Sequence, residues 1–396
     1  MKRPILIIVG AILVFILIIV WLYVLFFSSP KEDTDSFTDF DLANTEDVSF
    51  SAGEGGDYSN LPTVDVSDIQ KLRQLTTRNT IGYQEVLGDK DSSAKVFYVE
   101  AGTGHIFSID LVSGEESRVS KTTIPHSKKA AITPDGTYVL MQSKQGPRSY
   151  VVIAQLSSTT DEMILGDNIE NIIDFTETVD NTFLYTIQNT DSVTVNEHNP
   201  ETSDTETLFT IPFRAVSIDW GSSASATHLF YPKTSSRLDG FLYQAKEGKV
   251  ERLPIDGYGL SASGNGSFIT YSKQTSQQYE SFIYNQGLRE SNSFGLDMIP
   301  EKCVFSDTSS SSVCAISLEN LGADSPDSWY RGEVSYSDDL WEINNEIFSA
   351  TLLVDTLFES GRELDIVNLS LGDQDESVYF INKNDSTLWV YERASN

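Results

Sequence analysis

Histidine and cysteine are scarce in this 396-residue sequence, which contains four histidines and two cysteines. The histidines lie far apart along the chain and form no H-x-x-x-H pair: His105, His126, His198 and His228. A zinc enzyme needs three or four ligands that converge on the metal. The G-x-S-x-G nucleophile elbow of α/β-hydrolases is also absent from the sequence. We therefore expect a protein that is not an enzyme and needs no cofactor.

Basic residues are few: 27 Lys and Arg stand against 58 Asp and Glu, for a formal net charge of −31. Such a chain repels phosphate backbones, so nucleic-acid partners are not expected. The excess of acid also disfavours docking on anionic lipid. Solubility in the surrounding medium explains it most simply, and attraction of cations or basic partners is the alternative.

Cys303 and Cys314 are the two cysteines, and they flank a polar turn between two short apolar runs. Pairing Val304 with Val313 across a hairpin also sets Cys303 opposite Cys314. Cross-strand Cβ atoms at opposed positions come close enough for a disulfide. We predict this bridge, the alternative being two free, buried cysteines. With no histidine or third cysteine nearby, a metal site is not expected here.

Charge is absent altogether from Pro4–Phe27, a run of 24 residues dominated by Ile, Leu, Val and Phe. As a helix it is about 36 Å long, enough to cross a hydrocarbon core of about 30 Å. Lys2 and Arg3 precede it and acidic residues follow, which places residues 1–3 in the cytoplasm and the bulk of the chain outside. A cleaved signal peptide is the competing interpretation, but its apolar core is normally shorter. We predict a single-pass signal-anchor protein, facing the cell surface or the periplasm.

Residues 28–70 contain eleven acidic residues and one basic residue, with Ser, Thr, Gly and Asn between them. Low hydrophobicity and like-charge repulsion predict an extended, flexible segment. We expect it to tether a folded domain to the membrane helix.

From residue 71 onward the sequence lacks long amphipathic helices and consists of short aromatic and β-branched runs separated by turn residues. These runs form hairpins with a further strand before most of them and after several. Tyrosines at one hairpin position recur 40, 47, 46 and 40 residues apart: Tyr98, Tyr138, Tyr185, Tyr231 and Tyr271. Four strands per unit at this period indicate a β-propeller. We predict an all-β domain of seven blades over residues 71–396, with six or eight as alternatives.

The C-terminal unit has only three strands before the chain ends, around Leu364, Val378 and Leu388. A fourth strand must come from elsewhere, or an edge stays exposed. Residues 71–76 resemble the fourth strands of other units. We therefore predict that they close the last blade.

The segment Ala130-Ala-Ile-Thr-Pro-Asp-Gly-Thr-Tyr-Val-Leu140 resembles the S-P-D-G repeat of TolB-type, WD40-like propellers. In that family an Asp-Gly turn joins strands one and two of a blade, and Ala262–Phe268 is a weaker echo of it. The stretches Tyr98–Asp110 and Trp329–Gly332 resemble uncharacterised membrane-anchored propellers of candidate-phyla bacteria. The resemblance implies a propeller fold with protein partners, and it brings no catalytic residues.

An insertion around Pro326–Asp339 lengthens the sixth unit. It contains Trp329, Tyr330 and Arg331, residue types enriched at binding hot spots. We mark these three, with Asp338 and Asp339, as candidate binding residues. In the alternative interpretation Trp329 packs against its own blade and the two aspartates form a solvated turn.

Acidic clusters occur in several turns: Asp89–Asp91, Asp373–Glu376 and Asn382–Asp385. None has the EF-hand spacing, and turn chemistry alone accounts for Asp and Asn at hairpin tips. Calcium is the one cofactor these clusters leave open.

These observations favour a membrane-tethered, extracytoplasmic scaffold that binds a protein or a cell-envelope component. The alternative is a carbohydrate-binding or glycan-hydrolysing propeller, in which two carboxylates converge in an open pocket. A purely structural domain of a larger surface assembly is a third interpretation.

Overall fold

The computed structural model describes residues 71–88, 93–145, 148–157, 160–275, 278–319, 321–322 and 324–393. The predicted membrane helix, the acidic tether and the cluster Asp89–Asp91 lie outside these ranges. Within them, no helix combines the length and the apolar character needed to cross a membrane.

The described residues form seven four-stranded antiparallel sheets, which are the blades of one propeller. After β1 (Leu72–Gln74), the first three blades follow in chain order. Blade 1 contains β2 (Thr80–Val86), β3 (Lys95–Glu100), β4 (Ile106–Asp110) and β5 (Glu116–Ser120). Blade 2 contains β6 (Ser127–Ile132), β7 (Tyr138–Gln145), β8 (Arg148–Leu156) and β9 (Met163–Glu170). Blade 3 contains β10 (Ile172–Glu177), β11 (Phe183–Gln188), β12 (Val193–Asn199) and β13 (Asp204–Ile211).

The remaining blades continue the pattern. Blade 4 contains β14 (Val216–Asp219), β15 (His228–Pro232), β16 (Asp239–Lys246) and β17 (Lys249–Tyr258). Blade 5 contains β18 (Ser261–Gly264), β19 (Phe268–Thr275), β20 (Gln278–Asn285) and β21 (Glu290–Ser293). Blade 6 contains β22 (Cys303–Phe305), β23 (Ser311–Ser317), β24 (Asp338–Asn344) and β25 (Ser349–Val354). Blade 7 contains β26 (Ile366–Leu371), β27 (Ser377–Asn382) and β28 (Thr387–Glu392), with β1 as its fourth strand.

Helical segments are short and lie in connections between strands. Two are α-helical, Asp327–Tyr330 and Thr356–Ser360, and two are 3-10 turns, Pro300–Lys302 and Asp373–Asp375. The prediction of an all-β, seven-bladed propeller is therefore confirmed.

The hydrophobic core lies between neighbouring blades. One cluster joins Leu140 and Val151 of blade 2 to Phe175 and Phe183 of blade 3. Because each blade packs on both faces, its second strand is apolar on both faces, and β27 is buried at every position after Ser377. This explains the continuous apolar runs of the sequence, in which polar residues do not alternate.

β1 pairs antiparallel with β28, with Leu72 opposite Tyr391, and so joins the N-terminal end of the ring to the C-terminal end. The described strand is shorter than the predicted segment 71–76. Leu72 is 1% exposed and packs in the cluster between blades 6 and 7. Because β28 ends on the side of the 372–375 connection, the chain enters blade 7 from that side of the ring.

The Asp-Gly turn of the family resemblance joins β6 to β7, as the resemblance implies. Gly136 has φ +68°, a left-handed conformation that glycine adopts without steric cost. The weaker echo, Ala262–Phe268, occupies the same position between β18 and β19.

Candidate functional site

An open cavity of about 890 Å³ lies at one end of the ring's central channel. All seven blades contribute to its lining through the turn that follows the inner strand, and five of them also contribute residues at the end of that strand. Six lining residues are acidic: Glu85, Asp135, Asp219, Asp307, Asp373 and Asp375. The described lining includes no Lys, Arg or His. The cavity therefore presents negative charge at its wall, with apolar side chains such as Leu87, Val179 and Phe305 between the acids.

Asp219 ends β14 and is held from the neighbouring blade. Its carboxylate accepts hydrogen bonds from Ser263 Oγ at 3.0 Å and from the Gly264 amide at 2.8 Å. A Cβ on Gly264 would lie 2.5 Å from the carbonyl oxygen of Phe268, so only glycine fits this turn. Burial raises the pKa of Asp219 to about 7, and the negative charge of Glu301 acts in the same direction against the two hydrogen bonds. The carboxyl group of Asp219 therefore changes its protonation state near neutral pH.

Trp220 follows Asp219 and is one of the residues that line the cavity. Its Nε1 donates to Asp174 Oδ2 at 2.9 Å, and its ring meets His228 edge-on with 5.9 Å between centroids. Two neighbours therefore fix the ring, and a half-buried aromatic surface stands beside a carboxyl group.

Three of the other lining carboxylates accept hydrogen bonds from neutral donors: Asp135, Glu85 and Asp375. Asp135 accepts from Thr133 Oγ1 at 2.6 Å and from the Thr137 amide at 3.0 Å. Burial acts to raise the pKa of Asp135, but these hydrogen bonds outweigh it and lower the pKa. None of the six lining acids forms an ion pair with another described residue. Their negative charge is thus left for a ligand or for solvent.

Glu85 of blade 1 and Asp375 of blade 7 accept hydrogen bonds that join blade 7 to blades 1 and 6. Glu85 accepts from Tyr379 Oη at 3.0 Å and from the Asp373 amide at 2.8 Å. Asp375 accepts from Thr308 Oγ1 of blade 6 at 2.8 Å. These contacts hold the turn over residues 372–375 at the cavity mouth.

The opposite end of the channel is covered by the blade 6 insertion, and we call residues 324–337 the strap. Asp327 accepts from Ser235 and Ser236 of blade 4, at 3.0 to 3.1 Å. Two residues later, the Trp329 indole donates to Asp365 of blade 7 at 3.0 Å. Blades 4 and 7 lie nearly opposite each other in a ring of seven. A segment that reaches both within three residues must pass close to the ring axis.

A buried ionic network anchors the strap at its C-terminal end. Lys302 donates to Asp338 at 2.5 Å and to Asp365 at 2.6 Å, and all three residues are 1% exposed or less. Lys383 adds a second ammonium group, 3.7 Å from Asp365, and its ammonium lies 4.0 Å from the Trp329 ring centroid. Burial raises the pKa of Asp338 to about 6, with Lys302 acting in the opposite direction.

The structure separates the five residues predicted as a binding surface. Trp329 is 6% exposed and packs with Tyr279 and Tyr336, so its ring lies inside the protein and touches blades 5 and 7 as well as the strap. Tyr330 is partly exposed and donates to Glu301 at 2.6 Å. Arg331 lies on the surface and pairs with Asp324 and Glu333.

The interpretation of Asp338 and Asp339 as a solvated turn is wrong. Both residues belong to β24, Asp338 is 1% exposed, and Asp339 accepts a hydrogen bond from the Thr356 amide at 2.9 Å. The physical reason is Lys302, whose buried ammonium group holds Asp338 inside the protein. The insertion accordingly ends at residue 337.

Cys303 and Cys314 lie opposite each other in register, with their Cα atoms 4.1 Å apart and their sulfur atoms bonded. Cys303 also contributes to the cavity wall. Of the acidic clusters marked in the sequence, Asp373–Glu376 lies at the cavity mouth, while Asn382–Asp385 lies at the other end of the channel. Across the described ranges, no group of three or more His, Cys, Asp or Glu side chains converges in the manner of a metal site.

Asp219, Trp220 and Lys302 are among the site residues that sequence reasoning did not mark. Asp219 ends an inner strand and Trp220 follows it, and this position could have marked them, since inner-strand ends meet at the channel. Lys302 has no comparable signal, because its partners are 36 and 63 residues away.

Comparison with known proteins finds no matching family model and no matching curated protein. Solved structures do match. The β-propeller domain of the Trilobed protease from Pyrococcus furiosus is 13% identical, with a TM-score of 0.49 over 79% of this chain and 96% of that one. Acylaminoacyl peptidase from Pyrococcus horikoshii is 11% identical, with a TM-score of 0.49 over 80% of this chain and 52% of that one. TolB from Acinetobacter baumannii is 12% identical, with a TM-score of 0.39 over 74% of this chain and 60% of that one.

These similarities concern the propeller fold alone. The chain spans about half the length of the Pyrococcus horikoshii peptidase and about three fifths of that TolB. Any functional conclusion therefore depends on the residues of this chain.

Proposed function

We propose that this chain is a membrane-tethered, extracytoplasmic scaffold whose propeller binds a protein or cell-envelope component at the open end of its channel. The observation that carries the proposal is the cavity of about 890 Å³, with six acidic residues and no basic residue among its described lining. Apolar side chains between the acids add area that a partner can bury. A segment with positive charge and a few apolar side chains complements such a wall.

The tethering part of the proposal rests on Pro4–Phe27 and the acidic residues 28–70. The chain enters blade 7 on the side of the ring that carries the cavity. A flexible segment of 43 residues spans on the order of 35 Å on average, at about 5–6 Å times the square root of its length. The tether would thus keep the propeller outside the membrane, in the compartment that holds envelope components.

Site-specific photocrosslinking in native membranes tests this function. A photoreactive residue replaces Val179 at the cavity mouth, and the control replaces Leu238 in a turn at the opposite end of the ring. The two side chains are 60% and 61% exposed, so access to reagent is matched. We expect adducts from position 179 that decrease in the double variant Asp307→Asn, Asp373→Asn, and few from position 238. Equal adducts from both positions, or none from position 179, would contradict the proposal.

A glycan-directed role is the second candidate, and Asp219 with Trp220 favours it. A carboxyl group with a pKa of about 7 can act as a general acid at neutral pH, and an indole face beside it can stack on a sugar ring. In this case purified envelope polysaccharide would bind the wild-type chain and release reducing ends, and Asp219→Asn would stop the release while retaining binding. If the wild-type chain neither binds nor cleaves the polysaccharide, the glycan role is excluded and the scaffold is unaffected.

A further inference from the structure

The part of the cavity wall where blade 4 meets blade 5 carries a carboxyl group that is oriented but has no counter-ion. Asp219 Oδ1 accepts from Ser263 Oγ, and its Oδ2 accepts from the Gly264 amide, so each oxygen has one neutral donor. A carboxylate has about four acceptor positions, two on each oxygen, and one position on each oxygen is therefore left for a ligand. Two parallel N–H groups of a planar cation fit such a pair of positions.

Trp220 adds an aromatic ring next to this carboxyl group. It is the one tryptophan among the described lining residues of the cavity. Its Nε1 already donates to Asp174 at 2.9 Å, so the indole N–H is used inside the protein and the ring itself is what a ligand can contact. Among aromatic rings, indole attracts cations to its face most strongly.

The charged groups around Asp219 are acidic or already paired. Glu301 acts on Asp219 as a like charge. Lys129 of β6 forms an ion pair with Asp174 of β10. His228 of β15 packs behind Trp220 and is neutral at pH 7, because burial lowers its pKa below the usual value of about 6.5. Within the described part of the chain, Asp219 has no cationic partner, so a ligand would have to supply one.

The wall around Asp219 and Trp220 consists largely of residues with short side chains. They come from the connection after β14 and from the end of β18: Gly221, Ser222, Ala226, Ser263 and Gly264. Short side chains leave space in front of the carboxyl group, and a long side chain can enter that space from the open cavity.

We propose that Asp219 and Trp220 form a subsite for one arginine side chain of the partner, with the guanidinium group paired to the carboxylate and stacked on the indole ring. This inference rests on the proposed function and names the group by which the cavity recognises its ligand. A guanidinium offers parallel donors to both carboxylate oxygens and a flat face to the ring, whereas a lysine ammonium is a compact, strongly hydrated charge.

The lining acids divide the work of binding between them. Asp219 is partly buried, so water competes less for its ion pair than it does at an exposed carboxylate. Asp135, Asp307 and Asp373 are exposed, and they attract a basic segment from a distance.

Arginine binding at this subsite is linked to the protonation of Asp219, because only the carboxylate forms the ion pair. Burial raises the pKa of Asp219 to about 7. Tyr231 of β15 also feels the charge of Asp219, but burial raises its pKa far above the usual value and it stays neutral. The ionised fraction of Asp219 therefore increases about tenfold between pH 6.0 and pH 8.0, and the affinity for a guanidinium group should increase by the same factor.

Isothermal titration calorimetry of the full-length chain in detergent micelles tests the subsite. The probes are the peptide acetyl-Leu-Arg-Leu-amide and its versions with lysine or citrulline at the centre, citrulline being the uncharged analogue of arginine. We expect the arginine peptide to bind about tenfold more tightly at pH 8.0 than at pH 6.0. At pH 8.0 it should bind more tightly than the lysine peptide and at least about tenfold more tightly than the citrulline peptide.

Three variants locate the effect. Asp219→Asn should reduce the affinity for the arginine peptide to that for the citrulline peptide and remove the pH dependence. Trp220→Leu should remove the preference for arginine over lysine. Asp297→Asn is the matched control, because burial also raises the pKa of Asp297 but this residue lies outside the cavity lining, and it should retain the wild-type response.

Three results would overturn the subsite. One is a wild-type chain that does not distinguish the arginine peptide from the citrulline peptide at pH 8.0, a comparison that depends on no variant. Another is a lysine peptide that binds as tightly as the arginine peptide. The third is an Asp219→Asn chain that keeps the preference for arginine and its pH dependence. In each case, crosslinked adducts from position 179 would still support the scaffold, whereas their absence would remove both proposals.

Discussion

Lys302 places a primary ammonium group between two carboxylates in the interior of the ring. Desolvating three charges costs several kcal/mol each, and their mutual attraction offsets that cost only while all three are present. The Trp329 and Tyr336 rings lie 4.9 Å and 5.4 Å from the ammonium group and face it with their π electrons. The network joins the strap to blade 7, so Lys302 helps to hold the strap in position.

Lys302→Met should destabilise the folded chain by about 3–5 kcal/mol, because it leaves Asp338 and Asp365 buried with only the partly exposed Lys383 beside Asp365. Urea denaturation followed by tryptophan fluorescence measures the loss. Arg214→Met is the control, since Arg214 pairs with Asp191 on the surface and exposed pairs contribute about 0–1 kcal/mol. If the two substitutions lowered the free energy of unfolding by similar amounts, the buried network would contribute no more to stability than a surface ion pair.

Single residues were the hardest features to predict from sequence. The aromatic and basic composition of Trp329–Arg331 pointed to a surface, but burial of Trp329 depends on Asp365 and Tyr279, which no local pattern connects to it. Asp338 seemed part of a polar turn because its lysine partner lies 36 residues earlier. Whether a side chain in an insertion is buried depends on contacts with residues far away in the sequence. Sequence periodicity does not reveal such contacts.

At the scale of secondary-structure elements, β1 is the short strand that closes the ring. β1 has only three residues, yet it covers the outer edge of β28 and supplies Leu72 to the cluster between blades 6 and 7. An uncovered β28 would present a row of unpaired amides and carbonyls, which promotes association with other chains. Arg73 adds an ion pair with Glu392 at 2.8 Å.

Leu72→Ala should cost about 2–5 kcal/mol, the usual range for truncating a fully buried leucine, and should raise hydrogen exchange along β28. Hydrogen exchange combined with urea denaturation gives both quantities. Arg73→Ala lies in the same strand but removes a partly exposed ion pair, so we expect a loss under about 1 kcal/mol. If Arg73→Ala destabilised the chain as much as Leu72→Ala, burial of Leu72 would not be what holds the ring closed.

The strands and turns could be predicted from the sequence more reliably than the positions of single side chains. Tyr98, Tyr185 and Tyr271 each lie in the second strand of a blade and are buried, so similar packing in blades 1, 3 and 5 produces a period in the sequence. The Asp135–Gly136 turn was visible because its backbone geometry demands glycine. The cavity was less visible, since Asp219 and Glu85 come together only when seven inner strands converge on one axis.

The whole molecule combines a large negative charge with several carboxyl groups whose pKa values are raised by burial. Burial raises the pKa of Asp219 to about 7 and that of Asp338 to about 6, and it raises the pKa values of Glu177 and Glu301 as well. For these groups the folded state binds protons more tightly than the unfolded state, so stability grows as the pH falls through their folded pKa values. Protonation also reduces the repulsion within a chain of net charge −31.

Two sets of groups oppose this trend. Burial lowers the pKa values of His198 and His228, so their contribution to stability is lost as the pH falls below about 6.5, where the unfolded histidines take up protons. Hydrogen bonds lower the pKa of Asp110 to about 2, and the bond from the Ser113 amide contributes most to this decrease. The pKa of Glu100 is also lowered, because its hydrogen bonds and the charge of Arg78 outweigh the effect of burial. Their contribution disappears below about pH 4.5 as those carboxyl groups become protonated in the unfolded chain.

Between pH 8 and pH 5 the folded chain takes up protons at Asp219 and Asp338, whose pKa values are about 7 and about 6, so we expect stability to rise on acidification, to reach a maximum near pH 5 and then to fall. Urea midpoints from pH 4 to pH 8 measure the profile. Asp219→Asn should flatten it between pH 8 and pH 6, because it removes the group with a pKa of about 7, whereas Asp307→Asn, an exposed change at the same cavity, should leave its shape unchanged. A maximum at pH 7.5 or above would mean that the buried carboxylates are stabilised as anions, by cations bound within the ring or by rearrangement of the blades around them.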